Sequence, residues 1–296
     1  MPATTANMGT GFDSFGAALG LYNKISVKET EHGLRIKNFG LPDYVATGEN
    51  NLIYRAMMRV FDCVGYEKKG LSIHQRSAIP QTRGLGSSSA CIIGGMVAAN
   101  ALSGKKLDYK KILELATEME GHPDNVAPAL YGGFCISVKG SNGILCENIK
   151  PIKRIRFVAM IPEYYIVTRK SREILPENVP LEDAAHNLSR AAAFAVAISR
   201  GEYKNLKMYV DDRLHQPYRA SYIEGMNDIF DKCYSLGANA VYLSGSGPTI
   251  IAMVEENSSQ FVKEMCRFFE ENKMSYRVRN LLVDNVGTVV KYIGEP

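Results

Sequence analysis

Pro80-Gln81-Thr82-Arg83-Gly84-Leu85-Gly86-Ser87-Ser88-Ser89-Ala90 sets two closely spaced glycines ahead of three hydroxyls, and an apolar run from Cys91 to Leu102 follows. A glycine turn lets backbone N–H groups approach an anion without a Cβ in the way. A helix starting there adds unpaired amide donors and the positive end of its dipole. Together these make a phosphate cradle. No Gly-Lys-Ser/Thr follows at the spacing of a P-loop, so the pattern is a different one. The alternative for this string alone is a helix packed tightly through small residues.

A magnesium-nucleotide site also needs a carboxylate close to the cradle. Glu114, Glu118 and Glu120 offer one, although each also suits a solvated helix face; Glu114 and Glu118 share a face. Glu120-Gly121-His122-Pro123-Asp124-Asn125 packs polar groups between glycine and proline, with a helix cap as the alternative. Asn7-Met8-Gly9-Thr10-Gly11-Phe12-Asp13 has a similar character, and Asn7 and Asp13 suit either a polar substrate or an Asx-stabilised loop. Arg172, in Thr168-Arg169-Lys170-Ser171-Arg172, and Arg219, in His215-Gln216-Pro217-Tyr218-Arg219, are the best carboxylate partners, because an arginine fork pairs bidentately. Ser244-Gly245-Ser246-Gly247-Pro248-Thr249 is either a hairpin turn or a second glycine loop supporting the first.

The elements that must hold these residues follow from periodicity and punctuation. Met1 to Asn7 is turn-like. Tyr22 to Thr30 alternates as a strand, with Leu34 to Lys37 as its hairpin partner. Helical spacing runs from Asn51 to Val64 and stops at Gly65; Leu71 to Gln75 is a strand leading into the cradle. Asp108 caps a helix through Met119, and strands are expected at Gly133–Val138 and Ile144–Ile149. Beyond residue 150 the spacing predicts a strand at Phe157–Ile161 and helices at Leu181–Ser199 and Ser221–Leu236. Strands Ala240–Leu243 and Thr249–Val254 come next, then a helix capped by Ser258 with Phe261, Met265 and Phe268 on one face. Terminal strands are expected near Tyr276–Val283 and Thr288–Tyr292. Helices and strands mix without strict βαβ alternation, which is an α+β pattern. The division falls near residue 150, giving units 1–150 and 151–296.

Bulk properties narrow the class. The 296 residues are 46% hydrophobic and 22% charged, enough for two ordinary cores. A net charge of +4 without a dense basic block disfavours a nucleic-acid role. Six cysteines lack a C-x-x-C pair and mostly sit in apolar runs, as in a reduced cytoplasmic protein. Neither a signal peptide nor an apolar run of about 18 residues is present, so no membrane association is expected.

The same residues, taken in order, resemble a known family. Pro80 to Ala90 resembles the central P-x-x-x-G-L-G-S-S-A motif of the GHMP small-molecule kinases, and Ser244 to Thr249 resembles their C-terminal glycine motif. Pro2-Ala3-Thr4-Thr5-Ala6-Asn7-Met8-Gly9-Thr10-Gly11-Phe12-Asp13 is similar to the P-A-T-S-A-N-L-G-P-G-F-D opening of the homoserine kinases within that superfamily. Gly121 to Phe134 resembles their middle segment. The resemblance spans nearly the whole chain.

It implies a ribosomal-S5-like N-terminal domain, a ferredoxin-like C-terminal domain and a homodimer. It also implies ATP in the cradle, with Ser88 and Glu114 as Mg²⁺ ligands. Glu114 is preferred because it precedes His122 by eight residues, as the family's acidic residue does. L-Homoserine is the implied acceptor, with Asn7 and Asp13 at its amino and hydroxyl end. His122, Asn125, Thr168, Arg172 and Arg219 match the other substrate-side positions, with the two arginines on the carboxylate. Asn125 stands where many relatives carry Asp, and an amide cannot serve as base, so positioning and charge stabilisation are the expected means of catalysis. Two departures stand out. The short strand that precedes the family's opening motif is missing, an expected weakness in the first domain, and Thr10 replaces a proline, an expected loosening of the loop. The competing readings are another GHMP kinase, of mevalonate type, and a catalytically silent ATP-binding regulator on the same fold.

Overall fold

The computed structural model describes residues 1–292 except Asp43, Asn142, Pro151, Lys153 and Val167, and it leaves the side chains of residues 168–170 undescribed. The expected substrate contact through Thr168 therefore lies outside the described residues.

Two sheets organise the chain. The first holds β1 (Pro2–Ala6), β2 (Phe15–Thr30), β3 (Leu34–Phe39), β4 (Gly70–Ser77), β5 (Phe134–Gly140) and β6 (Gly143–Ile149), in the order β3-β4-β2-β5-β6 with β1 on β2. On one face lie α1 (Leu52–Val64), α2 (Ser87–Leu102), α3 (Tyr109–Glu120) and α4 (Pro123–Tyr131). Asn51 and Asp108 cap α1 and α3 through their side chains. α2 is buried almost all round, which explains its unbroken apolar sequence.

The second sheet has the order β10-β7-β9-β8, all antiparallel, from β7 (Arg156–Pro162), β8 (Ala240–Leu243), β9 (Ile250–Val254) and β10 (Tyr276–Leu281). Between these strands come α5 (Thr168–Glu173), α6 (Leu181–Arg200), α7 (Leu206–Tyr209), α8 (Gln216–Arg219), a 3₁₀ turn at Ala220–Tyr222, α9 (Met226–Ser235) and α10 (Ser258–Glu271). Reduced to strands and covering helices this is β-α-β-β-α-β, the ferredoxin-like arrangement. Phe194 of α6 packs against Phe15 and Phe134 of the first sheet, each at a ring separation of 5.8 Å, so α6 is the apolar seam between the sheets.

Several elements depart from the sequence pattern, each because of a distant partner. The opening is a strand: β1 pairs with β2, and its five residues are all buried, which erases any alternation. β2 begins seven residues before Tyr22, because its first part is covered by β1 and β5. Leu34–Lys37 does not form a hairpin with Tyr22–Thr30; β4 lies between them, antiparallel to β2 and parallel to β3. The expected helix at Ser221–Leu236 starts only at Met226, after Gly225 turns left-handed at φ +64°. Asn257, at φ +55°, holds the cap position of α10, and Ser258 is its first residue. The buried face of that helix runs through Phe261, Met265 and Phe269, with Phe268 only partly covered. Thr288–Tyr292 forms no strand; Thr288 bonds to the carbonyls of Leu130 and Ala129, returning the chain to the first sheet's helices.

Candidate active site

A cavity of about 360 Å³ lies where the two sheets meet. Gln81 to Ser88 line its centre; Pro80, Ser89 and Ala90 of the same motif do not. Gly84 adopts φ +74°, and a Cβ there would lie 2.3 Å from the Ser244 carbonyl oxygen. Gly86 adopts φ +65°, and its Cβ would meet the Thr4 hydroxyl at 1.8 Å. No other residue fits either place. Gly86 caps α2 without a side chain, so the amides of the first turn have no partner within the helix. The Ser244 hydroxyl bonds to Gly84 O and Thr5 Oγ1, and Arg83 O accepts from Thr249 N. Gly247 packs its carbonyl against Gly84, while Gly245 and Ser246 line the cavity. The second glycine loop thus buttresses the first.

The acids of α3 go to three different places. Glu114 does not reach the cradle: it pairs with Lys111 Nζ at 3.0 Å and lies against Gly143 at the start of β6. Glu118 pairs with Arg59 at 2.6 Å. Glu120 accepts from Ser88 Oγ at 2.8 Å and from Ser89 Oγ at 3.0 Å, and it lines the cavity. Six residues along a helix are about 240° apart around its axis, so Glu114 and Glu120 cannot serve one site. Ser88, expected beside Glu114, is instead bonded to Glu120. Both donors are hard oxygens and fit Mg²⁺, but among the described residues no group of three or more His, Cys, Asp or Glu could hold a metal. An ion here would complete its shell with phosphate oxygens and water.

Asn125 and Asp124, in the first turn of α4, are both buried. Asn125 Oδ1 accepts from Thr4 Oγ1 at 2.7 Å, and its Nδ2 donates to Asp124 Oδ1 at 3.3 Å. His122 Nδ1 lies 2.7 Å from Asp124 Oδ1. Burial pushes the His122 pKa down, but the Asp124 bond and charge, with Glu120 and Asp13, outweigh it, and the net value is raised.

At the far end Arg172 Nη2 pairs with Asp13 Oδ1 at 2.6 Å. Arg219 is buried; its Nε donates to Ser171 O at 3.2 Å and its Nη1 to Gly245 O at 3.1 Å. Both guanidinium groups lie 5.6 Å from the Phe12 ring centre. Burial, and then the charge of Arg172, lower Arg219 to about 10, with Asp13 opposing. It remains charged at neutral pH. Two guanidiniums therefore converge beside Asp13 in a partly dry pocket, with the charges of Asp124 and Asp212 also felt by Arg219.

Asn7 lines the cavity, but its amide is committed: Oδ1 accepts from Asp13 N and Nδ2 donates to Gly245 O, each at 2.9 Å. Its side chain shapes the turn that presents Asp13. Thr10 does not loosen that turn; its hydroxyl donates to Tyr209 O at 2.8 Å.

Sequence reasoning missed the other end of the cavity, formed by Tyr44, Val45, Asn51, Ile53, Gln75 and Cys91. Asn51 figured in the sequence only as the start of a helical stretch, and in the structure it caps α1. Gln75 Nε2 and Asn23 Nδ2 both approach Cys91 Sγ, and burial pushes that thiol up to about 11.

The family models for the GHMP kinases N terminal domain and the GHMP kinases C terminal match residues 51–133 and 191–271. A homoserine kinase of Clostridium beijerinckii is 42% identical over 291 residues, covering 98% of this chain and 97% of its own. One from Clostridium botulinum (strain ATCC 19397 / Type A) is 43% identical over 290 residues, with the same coverage. The crystal structure of homoserine kinase from Cytophaga hutchinsonii superposes with a TM-score of 0.88 at 26% identity, over 97% of this chain and 94% of that one. The crystal structure of L. major mevalonate kinase shares the fold, with a TM-score of 0.74 at 16% identity over 97% and 95% of the two chains. Opening turn, cradle and closing glycine loop meet around one cavity, on a fold and at an identity that these relatives share, and the chain belongs to the homoserine kinase family of the GHMP kinases.

Proposed function

We infer that this chain transfers the γ-phosphoryl group of ATP to the hydroxyl of L-homoserine, giving ADP and O-phospho-L-homoserine, a step toward threonine. The observation that carries this is one cavity with a helix-terminus cradle at its centre and Arg172 and Arg219 opposite Asp13 at one end. The cradle suits a polyphosphate, and the guanidinium forks of Arg172 and Arg219 suit an acceptor with a carboxylate. The triphosphate lies along Gln81 to Ser88, and the base extends toward Gln75 and Cys91. Ser88 and Glu120 would hold a Mg²⁺ brought by the nucleotide, which would supply shielding of the phosphate charge. The α2 amides stabilise charge on the transferring group. Asn125 has one amide N–H left after its bond to Asp124 and directs it at the acceptor or the phosphoryl oxygens. It takes no proton, and a loose transition state asks little of a base. Asp13 and Asp124 are the carboxylates nearest the acceptor's ammonium group.

The test is ADP release with L-homoserine, with mevalonate and with no acceptor. Turnover on homoserine alone is expected. Preference for mevalonate would assign the chain to a different GHMP activity. ATP binding without turnover on either acceptor would make it a silent regulator.

We further infer that two copies pair through α6. Its outer face carries Leu181, Ala185, Leu188, Ala192 and Val196 at helical spacing, with Leu181 84% and Leu188 74% exposed. Glu182 and Asp183 stand in its first turn and Arg200 in its last. Antiparallel pairing about a two-fold axis sets acid against base at both ends. Leu188→Glu should convert a dimer to a monomer in light scattering; an unchanged mass would place the contact elsewhere. The cytoplasm is the compartment that supplies ATP and keeps the six unpaired cysteines reduced. No described helix is long and apolar enough to cross a membrane.

A further inference from the structure

A fully buried imidazole stands behind the carboxylate end and has no part in the reading above. His215 is 0% exposed, between α7 and α8. Its backbone is fixed by Asp212, whose carboxylate accepts from the amides of Leu214, His215 and Gln216 and from Asn187 Nδ2. Its ring makes two bonds of opposite polarity. Nε2 lies 2.8 Å from Gly9 O, and Nδ1 lies 3.1 Å from Arg219 Nη1. A carbonyl only accepts and a guanidinium only donates, so both bonds form together only when the ring is neutral with its proton on Nε2. Burial, foremost, and the Arg219 charge keep it neutral by lowering its pKa; Asp212, the Gly9 bond and Asp13 oppose this. The ring also stacks on Phe12 at 5.4 Å and 26°.

We propose that His215 is the positioning residue for Arg219. With Gly245 O it shares Nη1, and Ser171 O takes Nε, so three acceptors fix the plane of the guanidinium. Among the described residues Nη2 has no hydrogen-bond partner, and that edge would take the substrate carboxylate. The same ring holds Gly9, in the turn that presents Asp13, so carboxylate site and turn keep one spacing through one side chain. The idea rests on Arg219 being the carboxylate partner.

The experiment compares L-homoserine with 3-aminopropan-1-ol, which keeps the amine and hydroxyl but lacks the carboxylate. His215→Leu removes both ring bonds. We expect it to raise the homoserine KM on the order of tenfold or more while the ATP KM stays within about twofold. The kcat/KM preference for homoserine over the amino alcohol should fall by the same factor. His215→Gln, which keeps an acceptor beside a donor, should restore most of that preference. A general loss of packing would lower activity on both acceptors and leave the preference intact, which would overturn the proposal. Arg219→Ala is the control: if the preference survives in that variant, the carboxylate assignment itself is wrong. Should His215→Leu not fold, ¹⁵N-histidine spectra of the intact protein decide. A neutral ring protonated on Nε2 is expected, and a proton on Nδ1 would refute the bond to Arg219.

Discussion

Glu120→Gln isolates the acid of the site from its helix neighbours. The side chain keeps its length, and one oxygen remains to accept from Ser88 or Ser89 (now 2.8 and 3.0 Å away), so the local fold should survive. What is lost is a full negative charge at the place proposed for Mg²⁺. A unit charge pair about 4 Å apart is worth about 4 kcal/mol at an effective dielectric near 20. Glu120 is only half-buried, and solvent screening reduces that figure. A surviving loss of about 1.5–3 kcal/mol corresponds to ~10–100-fold in the Mg²⁺ concentration for half-maximal rate. The assay is coupled ADP release at fixed ATP and homoserine over a range of free Mg²⁺. Glu114→Gln is the matched control, since it removes the same charge from the same helix and disturbs only the pair with Lys111. It should shift the Mg²⁺ curve by less than about twofold, as exposed pairs contribute little. If Glu114→Gln moves the curve and Glu120→Gln does not, the assignment made from Ser88 and Ser89 is refuted.

Arg219→Ala should raise the homoserine KM by about 30-fold or more, since losing a buried charged partner costs about 2–5 kcal/mol; equal rises for ATP and homoserine would count against a carboxylate contact. Asn125→Ala should slow turnover ~10–100-fold, as expected for one charge-directing bond, and a loss near ~10⁵-fold with intact binding would require direct proton transfer. The raised pKa of His122 links stability to pH. Its contribution is complete below the unfolded value near 6.5 and is lost as pH rises through the higher folded value. The Tm difference between the wild type and His122→Gln should therefore be largest near pH 6 and shrink by about pH 8.5. A difference that grows with pH would show that Asp124 does not hold the proton on this ring.

Helices α1, α2, α3, α6 and α10 were legible because each buries a face or, for α2, its whole surface, and because Asn51, Asp108 and Gly65 mark the ends of α1 and α3. β1 was not, because a strand covered on both sides has no period to detect. The order of β2, β4 and β3 was hidden because adjacency along the chain suggests a hairpin, while the eight paired positions of β2 with β4 take the inner place. The cradle and the two arginines could be picked out by residue type. The base end could not, because Val45, Ile53 and Cys91 differ in no way from core residues until Gln81 to Ser88 face them across a cavity. The acids of α3 show the same limit: composition offers three, and only Arg59, Lys111 and Ser88 decide which is which.

The opening turn, the cradle, the Asp124–Asn125 turn and the closing glycine loop are far apart in the chain yet bonded to one another. Thr4 holds Asn125 while its hydroxyl fills the space that a side chain at residue 86 would need. Asn7 reaches Gly245, and Ser244 reaches Thr5 and Gly84. Thr10 and Gly9 are tied to Tyr209 and His215. Every one of these contacts joins a small or polar residue to a backbone group or hydroxyl, where added volume has nowhere to go. That is why the motifs are short, rich in glycine, serine and threonine, and meaningful only as a set. Each one supplies the wall against which another is fitted, and a phosphate or a carboxylate placed between them meets donors whose positions were fixed from both sheets at once.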